Sequence, residues 1–215
     1  MLGQSITRNS VLLGLFAVCT TVLIVGTQLL TEDDIARQVR MAEEKALLEI
    51  VPRDRHDNSM LDDTLPVGPE ASGLGLRQDK QIHLARRNGK VVTAIIPAVA
   101  PDGYTGDIDL IVGVNRDGSL AGVRVLAHRE TPGLGDKVDL RKSDWILGFA
   151  GRSLQNPTVE RWAVRKDRGE FDQFTGATIT PRAVVAAVLR TLQYAQANRG
   201  ALFAQPEQQP AGGKS

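Results

Sequence analysis

Residues 81–99 read QIHLARRNGKVVTAIIPAV, and this stretch decides the fold class. Two segments rich in apolar and β-branched residues, 81–87 and 91–99, flank Asn88-Gly89. An Asn-Gly pair between such segments signals a two-residue hairpin, because both central positions of the favoured turn need a positive φ. Asp107 to Val114 continues with apolar residues alternating at Ile108, Leu110, Val112 and Val114. Asn115-Arg116-Asp117-Gly118 is the next turn, before a further strand over 119–127. Strands joined by turns this short pair antiparallel.

Downstream, 144–149 reads as a short helix and 159–165 as another strand. Pro181 to about Asn198 is the clearest helix, with a stripe of Val184, Val188, Leu192 and Ala195 widened by Val185 and Leu189. Pro181 suits its first position, Thr180 the cap before it, and Gly200 the C-terminal cap. The reading is α+β: a twisted, largely antiparallel sheet with flanking helices over residues 76–200.

Upstream, no charge occurs between Arg8 and Glu32. The run 11–30, VLLGLFAVCTTVLIVGTQLL, is 20 residues long. As a helix it spans about 30 Å, the thickness of a hydrocarbon core. Its threonines can bond back to the preceding turn, so they are tolerated in lipid. A cleaved signal peptide fits less well, because the apolar run is long and no A-x-A site follows. Lipidation at Cys19 is disfavoured by Val18, where a small residue is required. The expected arrangement is one uncleaved transmembrane helix over 11–30, with residues 1–10 in the cytoplasm. Arg8 on the short side and Glu32, Asp33 and Asp34 on the other follow the positive-inside rule, leaving the body outside. In a bacterium that means a single-pass protein of the cell inner membrane with a periplasmic domain.

Residues 31–75 read as a juxtamembrane helix, capped by Thr31 and ended by Pro52, followed by a Pro/Gly-rich linker. Residues 201–215, with PEQQPAGGKS, read as a disordered tail. The whole chain has 26 Lys plus Arg against 25 Asp plus Glu, so it lacks the basic excess of a nucleic-acid binder. One cysteine permits neither an intrachain disulfide nor a cysteine-rich metal site. No GxGxxG, Walker or GxSxG motif is present, and no metal site is expected.

Two segments are unusual for plain turns. HRETPGLGDK (128–137) follows a strand and places Gly133 and Gly135 where backbone can approach a ligand closely. DQFTGATITP (172–181) sets Thr175, Thr178 and Thr180 around Gly176-Ala177 at a helix start. A helix N-terminus favours phosphate through its unpaired N–H groups and dipole. Physics alone does not choose among the three hydroxyls.

Asp172 followed by Thr175-Gly176-Ala177-Thr178 resembles the D-x-x-[ST]-G-A-T flavinylation motif, and Glu130 to Gly135 (ETPGLG) resembles the other conserved loop of the same FMN-binding domain family. With the N-terminal anchor, the chain is similar to G subunits of Rnf (Rsx) electron-transport complexes over nearly all of residues 1–200. The resemblance implies FMN covalently bound through a phosphoester to Thr178. Thr175, Gly176, Ala177, Glu130, Thr131, Gly133, Leu134 and Gly135 would bind the cofactor, and Asp172 would be read by a flavin transferase. Tyr104, Trp145, Phe171 and Phe174 are aromatics that could stack on the ring or serve as core. The implied role is an electron relay with no substrate site of its own, partnered by other subunits of an ion-translocating complex and by the membrane. Two alternatives stay open: the C subunit of a sodium-translocating NADH:quinone reductase, which shares the motif, and a flavin-free membrane-anchored binding or sensor module.

Overall fold

The structure is a computed structural model and describes residues 2–203. The chain divides into two compact units, Met1–Glu43 and a second that begins at Glu44.

Helix α1 (Leu2–Ile50) begins the chain. Within it Asn9–Glu32 is long and apolar enough to cross a membrane, and none of it is buried by protein. Thr20 and Thr27 donate to the carbonyls of Phe16 and Leu23, each at 2.9 Å, so their hydroxyls are satisfied inside the helix. Thr31 does not cap a separate juxtamembrane helix. It lies inside α1 and donates to the Thr27 carbonyl at 2.8 Å. A helix that is already running has no orphan N–H for a cap to serve, so the hydroxyl bonds back instead. Val51 closes the helix through its N–H on the Leu47 carbonyl, and Pro52 stops it.

The second unit is built on a five-stranded antiparallel meander. Its strands are β1 (Thr64–Val67), β2 (Lys80–Arg87), β3 (Lys90–Gly103), β4 (Gly106–Asn115) and β5 (Leu120–Ala127), adjacent in that order. Asn88 and Gly89 both have positive φ, at 52° and 71°, as the hairpin signal requires. Strand β1 falls inside the expected linker. It is short, and it carries Pro66, which only an edge strand tolerates. The loop before it is fastened by Arg86, only 1% exposed, whose guanidinium pairs with Asp63 at 2.6 Å. The 159–165 segment is not a strand. It forms 3-10 turns at Val159–Arg161 and Arg165–Asp167, and inserts Trp162 and Val164 into the core from irregular backbone. Strand alternation would put Val159, Arg161, Ala163 and Arg165 on one face and Glu160, Trp162 and Val164 on the other, so neither face is continuously apolar.

Both faces of the sheet are covered. Ala94, Ile96 and Ala98 of β3, with Ile108, Leu110 and Val112 of β4, pack with α2 (Ile179–Ala197) through Val184, Val188, Leu192 and Ala195. Ile95 and Ile111 belong to a second cluster, with Leu47, Ile50, Val51 and Met60. The two-residue strand period divides the apolar residues between the two clusters. The segment 144–149 forms the expected short helix, of 3-10 type. Helix α2 is capped by Asn198, whose side chain donates to the Tyr194 carbonyl at 2.9 Å. Gly200 is not a cap but lies in α3 (Arg199–Phe203), which buries Leu202 and Phe203. The rest of the expected tail, 204–215, lies outside the described residues.

Gly113 marks where the last turn of α1 meets β4. A Cβ there would stand 2.4 Å from Ile50 Cγ2 and 3.2 Å from Ala121 Cβ. Neither atom is a flexible chain end. Gly113→Ala should therefore destabilise the domain by about 1–3 kcal/mol through overpacking. Urea denaturation of the variant against wild type measures this, and an unchanged midpoint would refute it.

Candidate functional site

Three segments converge at one end of the sheet. They are the β3–β4 turn, the loop that follows β5, and the turn leading into α2. They enclose a cleft of about 290 Å³. Glu130, Thr131, Leu134 and Gly135 line it from the second segment, and Gly176, Ala177 and Thr178 from the third. All seven are sequence-expected site residues, brought together across more than forty positions of chain. The cleft is completed by Tyr104, Ile179 and Thr180. Thr175, Gly133 and Asp172 do not line it.

The turn into α2 follows from its glycine. The Ala177 N–H donates to the Phe174 carbonyl at 3.1 Å, closing a β-turn with Thr175 and Gly176 at its centre. Gly176 has φ of 82°, a conformation that side-chain-bearing residues rarely adopt. Thr175 is exposed at the tip. Thr178 then occupies the helix cap position, where its φ of −85° and ψ of −26° are already helical. A capping side chain normally accepts from the second or third helical N–H, out of an extended backbone. Here the third helical residue is Pro181, which has no N–H. Thr178 makes no side-chain capping bond. It is half-buried beside the cleft with its hydroxyl unpartnered among the described residues. The expectation that Thr180 caps this helix is thus corrected. Thr180 is fully buried, and its hydroxyl donates to Glu130 Oε2.

Glu130 is the electrostatic centre of the site. It is 4% exposed, yet three donors are aimed at its carboxylate. Oε1 accepts from the Thr105 N–H at 3.0 Å and the Thr105 hydroxyl at 3.1 Å, and Oε2 accepts from Thr180. Burial by itself raises the pKa. The Thr105 N–H and the two hydroxyls outweigh it and hold the carboxyl below its ordinary range. Gly135 must lie against this contact, since a Cβ there would stand 2.7 Å from both Glu130 Oε2 and Thr180 Oγ1.

The aromatics divide. Tyr104 is 65% exposed at the cleft. Trp145, Phe171 and Phe174 instead join Phe149 and Trp162 in a packed cluster, with ring centroids 4.7–6.3 Å apart. Trp145 Nε1 donates to the Asp172 carbonyl at 2.8 Å, which ties that cluster to the start of the motif. The Asp172 side chain is 63% exposed and pairs with Arg165 at 3.0 Å. Nothing in the sequence spacing pointed to Thr105, Thr180 or Trp145 in these roles.

The cleft has two chemically different parts. Tyr104, Leu134, Ala177 and Ile179 supply apolar wall. At the α2 end, the N–H groups of Ile179 and Thr180 have no protein acceptor among the described residues. An apolar wall beside a helix N-terminus suits a planar ring that carries a phosphate, so these residues fit FMN.

The lowered Glu130 pKa has a thermodynamic consequence. A carboxyl whose folded pKa lies below its unfolded value binds fewer protons when folded. Its stabilisation is complete above the ordinary carboxylate range and is lost as pH falls through the folded pKa. The stability gap between wild type and Glu130→Gln should therefore be widest near neutral pH and close on acidification below the ordinary glutamate range. Urea melts across pH 3–7 check it. A gap that is constant or widens on acidification would contradict it.

Comparison with known proteins identifies the domain. Residues 103–193 match the FMN-binding domain family, and residues 1–50 match the RnfG N-terminal region. The chain is 48% identical over 203 residues to the G subunit of the ion-translocating oxidoreductase complex of Vibrio atlanticus (strain LGP32), covering 94% of this chain and 96% of that one. It is 49% identical over 205 residues to the protein of the same name from Pseudomonas aeruginosa (strain UCBPP-PA14), covering 95% of each. The Shewanella loihica (strain ATCC BAA-1088 / PV-4) protein of that name is 46% identical over 203 residues, with 94% and 95% covered. The chain belongs to the family of G subunits of ion-translocating oxidoreductase (Rnf) complexes, an electron-transport family, and carries its FMN-binding domain.

Proposed function

We propose that this chain is a covalent-flavin electron relay, with FMN joined through its phosphate to the Thr178 hydroxyl. One observation carries the choice of residue. Of the three threonines in the motif segment, only Thr178 both lines the cleft and has an unpartnered hydroxyl. Thr175 is exposed outside the cleft, and Thr180 is fully buried against Glu130.

Bound FMN supplies reversible electron acceptance and release; the chain's residues supply place and environment. The N–H of Ile179 and the α2 dipole favour the phosphate. Tyr104, Leu134 and Ile179 provide apolar contact for the ring and exclude water. Glu130, Thr131 and Gly135 line the cleft from the same loop as Leu134, and Gly133, at φ 78°, lets that loop turn. A phosphoester leaves the ring electronics untouched, so hydrogen bonding, charge and burial in the cleft set its potential.

A separate flavin transferase makes the bond and reads Asp172, whose exposure and weak surface ion pair leave it available. FMN itself is a phosphomonoester without a good leaving group, so the donor is an activated flavin phosphate, chemically an anhydride. The Thr178 O–P bond forms, the anhydride P–O bond breaks with the other half leaving as a free phosphate monoester, and the threonine proton passes to base or water. The tether suits a domain on the periplasmic face of the inner membrane, where a lost cofactor could not be replaced from the cytoplasm. The N-terminus would be cytoplasmic, α1 would cross the membrane, and residues 44–203 would pass electrons among the other subunits of the complex.

Protein co-expressed with the transferase should keep in-gel flavin fluorescence after denaturation, with a matching gain in intact mass. Thr178→Ala should lose both, and Thr175→Ala should keep both. Full labelling of Thr178→Ala would refute the attachment site. Because the Thr178 hydroxyl has no partner among the described residues, Thr178→Val should shift stability by less than about 0.5 kcal/mol relative to unflavinylated wild type. Membranes carrying that variant should retain the protein but lose complex turnover.

An alkaline phosphatase fusion at the C-terminus should be active. An inactive but intact fusion would place the domain in the cytoplasm.

A further inference from the structure

We infer that Glu130 and Thr180 form a positioning pair that places the Thr178 hydroxyl for phosphoryl transfer. This rests on attachment at Thr178 as proposed above.

The contact joins two segments that share no backbone hydrogen bond. Glu130 sits in the loop after β5, and Thr180 is the second residue of α2. Thr178 is two residues before Thr180, at the cap of the same helix. Whatever fixes the buried start of α2 therefore fixes the acceptor oxygen. Three features make the contact directional. An ionised carboxylate can only accept, so Thr180 must donate and its single proton is used. Oε1 is already filled by the two Thr105 donors, so Oε2 is left for Thr180. Gly135 carries no side chain that would separate the two atoms. Thr180 is thereby removed as a competing acceptor, while Pro181 withholds the N–H that would otherwise have captured Thr178.

Glutamine at position 130 would not reproduce this. Both carboxylate oxygens face donors, so one end of an amide would set N–H against N–H or invert the Thr180 bond. Valine at 180 keeps the shape and removes the donor. Serine keeps the donor.

The test is the rate at which the transferase labels the full-length, unflavinylated chain in detergent, with flavin adenine dinucleotide as the anhydride donor. Thr180→Val and Glu130→Gln should each lower the maximal rate by about ten- to a hundredfold, the scale expected for a misplaced reacting atom. The apparent KM for the acceptor chain should not change, because the Asp172 recognition surface is untouched. The double variant should be no slower than the slower single, as for two ends of one interaction. Thr180→Ser should label at close to the wild-type rate. Labelling of Thr180→Val at the wild-type rate, multiplicative losses in the double variant, or a defect confined to KM would each overturn the inference. If Thr180→Val does not give a cooperative melt, Glu130→Gln decides: wild-type labelling of that variant overturns the inference equally. Failure of the attachment reading looks different, because Thr178→Ala would then carry the label.

Discussion

A buried carboxylate is costly unless each of its oxygens meets a donor, and here that requirement organises a whole end of the domain. Glu130 is almost without solvent, yet it is satisfied by Thr105 from the β3–β4 turn and Thr180 from α2. Three segments distant in sequence must be in register for this to happen. The cleft is the space they leave. Its apolar wall and its helix N-terminus adjoin because Glu130 binds the elements that carry them.

The sheet supplies the rigid frame. Its central strands are buried on both sides, by α2 on one face and by a cluster with the last turns of α1 on the other. That cover explains why 91–100 is almost continuously apolar instead of alternating. Gly113 lets Ile50 approach β4 directly. Arg124 adds a polar fastening at the same place, donating to the Glu49 carboxylate at 3.0 Å and to the Glu49 carbonyl at 2.9 Å. A cation on the carbonyls of a helix C-terminus is favoured by the helix dipole.

The motif segment is held from its other side by aromatic packing. Phe171 and Phe174 enter the cluster with Trp145, Phe149 and Trp162, and Trp145 also holds the Asp172 carbonyl. The backbone at the start of the motif is thus fixed, while the Asp172 carboxylate and Thr175 point outward. One short segment therefore presents Asp172 and Thr175 to solvent and a half-buried Thr178 to the cleft.

By itself the sequence determined the elements that local pattern and turn chemistry dictate. The apolar 11–30 run, the Asn88-Gly89 hairpin, the alternation in 107–114 and the 184–195 stripe are all local signals, and each corresponds to structure of the expected kind. The family, and seven of the residues that line the cleft, were legible for a related reason: the TGAT and ETPGLG runs are contiguous motifs. Tertiary structure decided what depends on distant partners. Short strand β1 exists because β2 offers it an edge, and 159–165 turns because the aromatic core draws in Trp162 and Val164. The sharpest case is the cap of α2. Locally, Thr180 before Pro181 reads as a cap. Only the arrival of Glu130, fifty residues upstream in the chain, diverts the Thr180 hydroxyl into the interior and moves the helix start to Ile179. A hydroxyl bonds wherever the strongest acceptor stands, and a strong buried acceptor is placed by the fold, not by the neighbouring residues.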